Sequence, residues 1–164
     1  MFMSTIIAQQ QTLTVAWERD GYRISIDRSL LDIDFIHNYL ANESYWASGI
    51  PREVVEKSIR HSLCFGLYFQ EQQVGFARVV TDYATFAYLG DVFIVEAHRG
   101  QALGKWLIKC IVDHSELQHL RRWMLATADA HSLYEQYGFT PISQPQRFME
   151  RHNPEVYKPL ITIH

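Results

Sequence analysis

The residues best suited to binding a charged ligand lie in the stretch from Asp91 to Lys105. An apolar run, Val92–Val95, leads into a loop that contains Gly100 and Gly104, and helical periodicity follows at once. A helix begins with backbone N–H groups that lack intrahelical acceptors, and its dipole is positive at that end. Small residues let an anion approach these donors. The stretch therefore predicts an anion-binding turn, although a tight strand-to-helix connection would have the same pattern.

A second short motif lies after the next predicted strand. It reads Leu-Tyr-Glu-Gln-Tyr-Gly-Phe and covers residues 133–139. Its distance from the first loop is the distance expected when one helix and one strand intervene. Its first tyrosine, Tyr134, could serve in chemistry or could simply be a half-buried aromatic residue beneath a helix. Tyr137 and Phe139 are predicted to belong to the core.

The predicted elements follow the order β-α-α-β-β-β-α-β-α-β, which indicates an α/β fold with a mixed sheet. Gly90 predicts a bulge or a close backbone approach inside the long central strand. The segment after Gly138 is expected to return to an extended conformation at 139–143. Strands are expected at 22–27, 64–69, 74–81, 85–95, 122–128 and 147–151, and helices from Ser29 to about Asn42, from Pro51 to about Leu63, at 103–114 and at 130–137.

The overall composition is that of a single domain. The 164 residues carry a formal net charge of -3, and the basic residues are scattered, so nucleic acid is not expected as a partner. No apolar run approaches membrane-spanning length, and no membrane partner is expected. Cys64 and Cys110 lack the spacing of a metal or redox pair, which favours reduced thiols in the cytoplasm. We divide the chain into an N-terminal arm or extra strand (1–20), the main domain (21–151) and a C-terminal tail (152–164).

The two motifs together resemble those of the GCN5-related N-acetyltransferase (GNAT) family. The family's acetyl-CoA loop, Arg/Gln-x-x-Gly-x-Gly/Ala, corresponds to Arg99-Gly-Gln-Ala-Leu-Gly-Lys105, and its later x-Tyr-x-x-x-Gly-Phe pattern corresponds to residues 133–139. The element order from about Tyr22 to Phe139 also agrees. The first glycine of the loop pattern is Ala102 here, so the backbone at that point must tolerate a Cβ. Where the family often has asparagine, this chain has Thr127.

The resemblance implies a mixed, mostly antiparallel central sheet flanked by helices, with acetyl-CoA as cosubstrate. The strand through Phe93 and Ile94 would diverge from its neighbour and pair with pantetheine, and His131 would contact the cofactor near its thiol. The pyrophosphate would lie among the amides of the loop, to which Arg99 or Lys105 could add charge. The loop residues concerned are Arg99, Gly100, Gln101, Ala102, Leu103, Gly104 and Lys105.

Catalysis would then consist of direct attack by an amine in a ternary complex. Tyr134 could donate a proton to the departing thiolate. Because an amine is mostly protonated at neutral pH, its proton must also be removed, by Asp91, by Asp82 or by Glu96 in that order of preference, or by water. A covalent acetyl-cysteine is disfavoured because both cysteines lie in predicted core elements.

The acceptor is expected opposite the cofactor, between the loop after the first helix and the turn before the central strand. Aromatic walls with a few charges suit a small amine-bearing molecule, and a peptide remains an alternative. The same aromatics could also be core filling. The residues concerned are Tyr45, Trp46, Arg52, Arg78, Asp82, Tyr83 and Phe86.

Two other functions are compatible with the sequence. A non-catalytic acyl-CoA-binding regulatory module with the same fold is favoured by Ala102 and Thr127. A nucleotide-dependent transferase would also use a phosphate-binding turn. The tail from Pro154 to His164, with its apolar residues, could pack against a second copy in a homodimer.

Overall fold

The computed structural model of the chain describes residues 16–158, and a single six-stranded sheet runs through them in the order β1-β2-β3-β4-β5-β6. All neighbouring strands pair antiparallel except β5 and β6, which are parallel. The predicted mixed, mostly antiparallel sheet is confirmed. The strands are β1 Ala16–Arg19, β2 Tyr22–Ser25, β3 Leu63–Phe69, β4 Gln72–Thr81, β5 Phe86–Ile94 and β6 Arg122–Leu125.

Among residues 16–158, four α-helices flank the sheet. The first is continued by a π-helical turn, Tyr39–Glu43, and therefore ends where the polar segment predicts. Pro51 immediately precedes the second, and Gly138, with φ of 84°, follows the fourth. The helices are α1 Ile33–Asn38, α2 Arg52–Arg60, α3 Leu103–Val112 and α4 His131–Glu135.

The prediction that Ser29 begins the first helix is wrong. The Ser29 hydroxyl donates to the Asp27 carboxylate at 2.7 Å and so does not cap a helix. Residues 28–30 form a 3-10 turn. Helix α1 begins after Asp32, whose carboxylate accepts from the Phe35 amide at 2.9 Å. Each aspartate accepts from a free amide two or three residues later, Asp27 from Ser29 and Asp32 from Phe35, and only Asp32 caps an α-helix.

Each face of the sheet has its own apolar core. Helices α1 and α2 cover one face, and α3 covers the other, where α4 also packs. The first core contains Ile36, Tyr39, Leu40, Val55, Ile59, Phe76 and Phe93. The second contains Ile24, Phe65, Leu67, Val79, Leu89, Leu107, Ile108, Ile111 and Tyr134.

Strand β5 is irregular in two ways that shape the site. Its register with β4 shifts between Phe76 and Arg78, so β5 carries an extra residue next to Gly90, and the predicted bulge is confirmed. Its parallel pairing with β6 ends at Leu89, opposite Leu125. Within the described residues, 90–94 of β5 therefore pair only with β4, which agrees with the divergence that the family resemblance implies.

The predicted last strand at 147–151 does not form, and residues 139–143 contain no strand. Pro145–Arg147 instead make a 3-10 turn. Pro141 and Pro145 lack the N–H groups that a ladder beside β6 would need. Tyr157, in the C-terminal tail, packs against the α1–α2 core and lies near Gly49 of the same chain.

The ends of the chain are described only in part. Residues 16–19 of the N-terminal segment form the edge strand β1. The remainder of that segment, 1–15, and the tail residues 159–164, including Leu160 and Ile161, lie outside the described residues. No helix among residues 16–158 is long and apolar enough to cross a membrane.

Candidate active site

The N-terminus of α3 offers free backbone donors. The helix begins at Leu103, and no side chain caps it. Its first amides, at Leu103, Gly104 and Lys105, have no intrahelical acceptor, and they lie at the positive end of the helix dipole. The turn has the donors that a phosphate group requires.

The loop before α3 uses left-handed backbone at two positions. Gly100 has φ of 80°, and a Cβ added there would meet no atom within 4 Å. Its glycine is therefore required by the backbone angle rather than by crowding within the chain. Ala102 has φ of 56° and ψ of 21°, a conformation that favours glycine, and it takes the N-cap position. The loop thus keeps a glycine-like shape at the residue where the family pattern has glycine.

Side chains from the first two strands hold the outer side of this loop. Arg19 donates from Nη2 to the carbonyl oxygen of Gln101 at 3.0 Å, and its guanidinium lies 4.9 Å from the ring centre of Trp106. The Tyr22 hydroxyl donates to Oε1 of Gln101 at 3.3 Å and lies 2.9 Å from Nδ1 of His98. The sequence pattern gave no sign of these contacts, which join residues about 80 positions apart.

Arg99 and Lys105 have different surroundings. Arg99 donates from Nε to the carbonyl oxygen of Ile94 at 2.8 Å and from Nη2 to the Tyr39 hydroxyl at 3.1 Å. It therefore fixes the end of β5. Lys105 is exposed and makes no ion pair within residues 16–158, so its charge is available to a ligand. The side chain of Phe93 stacks on Tyr39 with ring centres 3.7 Å apart, so only its backbone faces the predicted cofactor side.

The two sequence motifs pack directly against each other. The Tyr137 hydroxyl donates to the carbonyl oxygen of Lys105 at 2.7 Å. A Cβ built on Gly104 would lie 3.9 Å from the side chain of Leu133. The Thr127 hydroxyl accepts from the Ala130 amide at 3.0 Å and so fixes the turn that leads into α4. The chain thus brings α4 and its tyrosine to the first turn of α3.

Tyr134 is buried, with 8% of its surface exposed. Burial, with smaller contributions from Tyr45 and Asp129, raises the pKa of Tyr134 to about 12. Its hydroxyl makes no hydrogen bond within the described part of the chain. It lines a cleft of about 270 Å³ between β6, α4 and residues 139–142, together with His131 and Glu135. The phenol is therefore neutral, and its hydroxyl proton is not donated to any acceptor among residues 16–158.

Asp91 lies on the β5 bulge, and both of its carboxylate oxygens are engaged. Oδ1 accepts from Trp46 Nε1 at 3.1 Å, and Oδ2 accepts from Arg78 Nε at 2.8 Å. The Tyr45 ring meets Trp46 edge-on with centres 5.0 Å apart, and its hydroxyl accepts from the Ala128 amide at 3.1 Å. Four of the predicted residues therefore meet where β5 and β6 diverge.

The other candidate acids lie elsewhere. Asp82 accepts from the Thr85 hydroxyl and from three amides of the β4–β5 turn, and these bonds hold the pKa of its carboxyl well below its usual range. It is thus a turn-forming residue at the opposite end of β5 from Asp91. Tyr83 and Phe86, both exposed, lie at the same hairpin. Glu96 is exposed and begins a 3-10 turn.

Arg52 is also outside this cluster, because it pairs on the surface with Asp34 and with Glu56. No group of three or more potential metal ligands occurs among residues 16–158.

Comparison with known proteins assigns the family. The sequence model of the acetyltransferase (GNAT) domain matches residues 60–141. A protein of Gibberella zeae, named provisionally as an acetyltransferase, is 34% identical over 140 residues, which are 72% of this chain and 78% of that protein. The chain therefore belongs to the GNAT acetyltransferase family, and its family activity is that of a transferase.

Solved structures agree with this assignment. A protein of Xanthomonas campestris pv. campestris, assigned provisionally to the GNAT acetyltransferases, is 51% identical with a TM-score of 0.82 and covers 84% of this chain and 97% of its own. A GNAT acetyltransferase of Elizabethkingia anophelis with bound acetyl-CoA is 15% identical, has a TM-score of 0.56, and covers 74% of this chain and 78% of its own. At that identity, the second likeness concerns the fold alone.

Proposed function

We propose that this protein is an acetyl-CoA-dependent N-acetyltransferase that acts on a primary amine of a small molecule by direct attack in a ternary complex. The observation that carries the proposal is that α4, which bears the buried phenol of Tyr134, is bound to the first turn of α3, whose N-terminal amides are free: the Tyr137 hydroxyl donates to the Lys105 carbonyl oxygen. The phenol suits proton donation and the free amides suit phosphate binding. Bound acetyl-CoA would supply the activated acetyl group as a thioester.

The cofactor side of the site is built from the loop and β5. The amides of residues 100–105 would hold the pyrophosphate, and Lys105 would add a positive charge. Arg99 would act through Ile94 and Tyr39, since its guanidinium is bound to both. The backbone of Phe93 and Ile94, unpaired on the β6 side, would bind the amide groups of pantetheine. His131, at the start of α4, would lie toward the thiol end.

The acid step follows from the protonation state of Tyr134. As the amine nitrogen bonds to the acetyl carbon, the carbon–sulfur bond breaks, and the phenol donates its proton to the sulfur. Because its pKa is raised to about 12, the phenol remains protonated throughout the neutral and mildly alkaline range. The proton of the attacking amine would leave to water or to Asp91.

The acceptor would lie on the same face of the sheet as α1 and α2, in a part that these helices leave exposed. Val80, Tyr88 and Met124 are register partners across three strands, so their side chains share this face, and Val80 and Tyr88 are exposed. Gly90, the next position on this face along β5, has no side chain, and the Tyr88 ring lies over it: a Cβ built there would lie 3.3 Å from that ring. An apolar floor with aromatic walls favours a small amine that carries an aromatic or branched group.

The proposal extends to a peptide as the alternative acceptor and to a homodimer as the assembly. The predicted cytoplasmic location is supported by two free, buried cysteines.

The decisive experiment is acetyl-CoA consumption against a panel of amines, amino acids and peptides, followed by Tyr134→Phe. Loss of turnover with unchanged CoA affinity supports the acid role, since only the hydroxyl is removed. Tyr68→Phe is the matched control, because the buried Tyr68 hydroxyl has no partner within the described residues. Unchanged turnover in Tyr134→Phe would refute the assignment. CoA binding without turnover on any amine would favour the non-catalytic module.

A further inference from the structure

A chain of three side chains joins the loop after α1 to the core of the sheet. Trp46 donates to Asp91 Oδ1 at 3.1 Å, and Arg78 donates to Asp91 Oδ2 at 2.8 Å. Arg78 also donates from Nη1 to the Ser62 hydroxyl at 3.1 Å. The exposed fractions of the Arg78 and Asp91 side chains are 19% and 12%. The ion pair is therefore largely protected from solvent and fixes the carboxylate in one orientation.

The backbone of Asp91 is strained in a way that serves this orientation. Its φ is 52°, which an L-residue with a Cβ seldom adopts, and it lies in the β5 bulge. Such conformations persist where surrounding contacts compensate for their cost. Here the compensating contacts are those to Arg78 and Trp46, both made by the carboxylate.

Tyr45 makes the corresponding contact on the other strand. Its hydroxyl accepts from the amide of Ala128, three residues after β6 ends, and its ring packs edge-on against Trp46. Tyr45 and Trp46, adjacent residues of one loop, thus contact both strands: Trp46 binds Asp91 of β5, and Tyr45 binds Ala128, which follows β6. They span the opening that begins where Leu89 and Leu125 form the last pair between the strands.

We infer that Asp91 is a positioning residue for the acceptor and that Tyr45 and Trp46 form the aperture through which the acceptor amine approaches Tyr134. A general base must accept the amine proton, and protonation of Asp91 would leave the Arg78 guanidinium against a neutral acid. The contacts instead engage both oxygens of Asp91: Oδ2 accepts from Arg78, which fixes the carboxylate, and Oδ1 accepts from Trp46 and holds it. This inference rests on the proposed function, and it assigns removal of the amine proton to water.

The test compares Asp91→Asn with Trp46→Phe in steady-state kinetics over a range of pH. Trp46→Phe removes the N–H donor to Asp91 together with one of the two fused rings, and it retains an aromatic ring. For a positioning role, both variants raise KM for the acceptor by about tenfold, the scale of one charge-assisted hydrogen bond, and both keep kcat within about threefold. In both variants the steady-state rate still falls on the acidic side of its pH profile, as it does in the wild type. The Tyr68→Phe control changes neither constant.

A catalytic base would behave differently. Asp91→Asn would then lower kcat by about 10²- to 10⁴-fold and remove the acidic limb, whereas Trp46→Phe would retain kcat, and this result would overturn the inference.

Trp46 fluorescence, obtained by subtracting the Trp46→Phe spectrum, gives a readout that does not need turnover. The inference requires its emission to shift in Asp91→Asn, and an unchanged emission contradicts it. Failure of the wild-type protein to consume acetyl-CoA with any amine would instead refute the proposed function.

Discussion

The hydroxyl of Tyr137 donates a hydrogen bond of 2.7 Å to the carbonyl oxygen of Lys105, and this bond ties the second sequence motif to the first turn of α3. Carbonyl groups in the first turn of a helix normally accept only from the helix itself. The additional bond fixes α4, which carries Tyr134, relative to the phosphate-binding turn. The tyrosine motif therefore has a structural role in addition to the proposed chemical one.

Tyr137→Phe is expected to lower the free energy of unfolding by about 1 kcal/mol, because one hydrogen bond is lost and the ring is retained. CoA affinity should fall slightly, since Lys105 becomes less fixed. Chemical denaturation and calorimetric titration measure the two effects. Tyr68→Phe, which removes an unpartnered buried hydroxyl, should leave stability unchanged or raise it. Equal destabilisation by both variants would show that the bond to Lys105 contributes nothing.

Ala102→Gly should stabilise the protein. A left-handed backbone costs an alanine roughly 1–2 kcal/mol. Glycine avoids this cost, but it loses more conformational entropy on folding than alanine does, which offsets about 0.5–1 kcal/mol of the gain. With φ of 56° at Ala102, the expected gain is about 0.5–1 kcal/mol, or a few degrees in Tm. CoA should bind equally well or more tightly, because the loop loses a Cβ. A lower Tm would contradict the strain at this position.

Gly104→Ala provides the opposite case on the same turn. An added Cβ would make only ordinary contacts, 3.9 Å from Ile94 and from Leu133, so folding should be tolerated. The methyl group would nevertheless stand beside the amides proposed to hold the pyrophosphate. We expect stability close to wild type with at least a several-fold loss of CoA affinity, measured by titration calorimetry. Unchanged affinity would place the phosphates elsewhere.

A buried histidine should make stability depend on pH. His114 is 4% exposed, its Nδ1 accepts from the Glu116 amide at 3.2 Å, and its Nε2 has no partner within residues 16–158. Burial between Trp17 and Phe65 lowers its pKa below the ordinary 6.5, against a smaller opposing effect of Glu116. The unfolded chain therefore binds a proton at a higher pH than the folded chain does.

The resulting stability is fully present above pH about 6.5 and is lost as the pH falls toward the folded-state pKa. Denaturation of the wild type and of His114→Gln at neutral and mildly acidic pH measures this effect. The variant should be less stable at neutral pH but should lose less stability on acidification. His152→Gln, at an exposed position, should retain the wild-type pH dependence. Parallel curves for wild type and His114→Gln would exclude His114 as the cause.

Local patterns were sufficient for the parts of the site that depend on neighbouring residues. Glycine spacing and helical periodicity located the turn before α3, and Gly90 located the bulge in β5. Contacts between distant residues could not be predicted in this way, because the bond from Tyr45 to Ala128 depends on how the whole sheet assembles. The role of Asp91 was unclear from sequence for the same reason, since its partners lie 13 and 45 positions away.

Neither cysteine should react or take part in catalysis. Cys64 and Cys110 are 3% and 4% exposed, and burial raises the pKa of the Cys64 thiol to about 12 and that of Cys110 to about 11. Because the thiolate is the nucleophile, a disulfide reagent at mildly alkaline pH should leave both thiols unmodified in the folded protein and modify both after unfolding. Cys64→Ala and Cys110→Ala should keep kcat close to wild type, as direct attack on the thioester requires. Rapid labelling of one thiol, together with loss of turnover in the corresponding folded variant, would instead support a covalent acetyl-cysteine route.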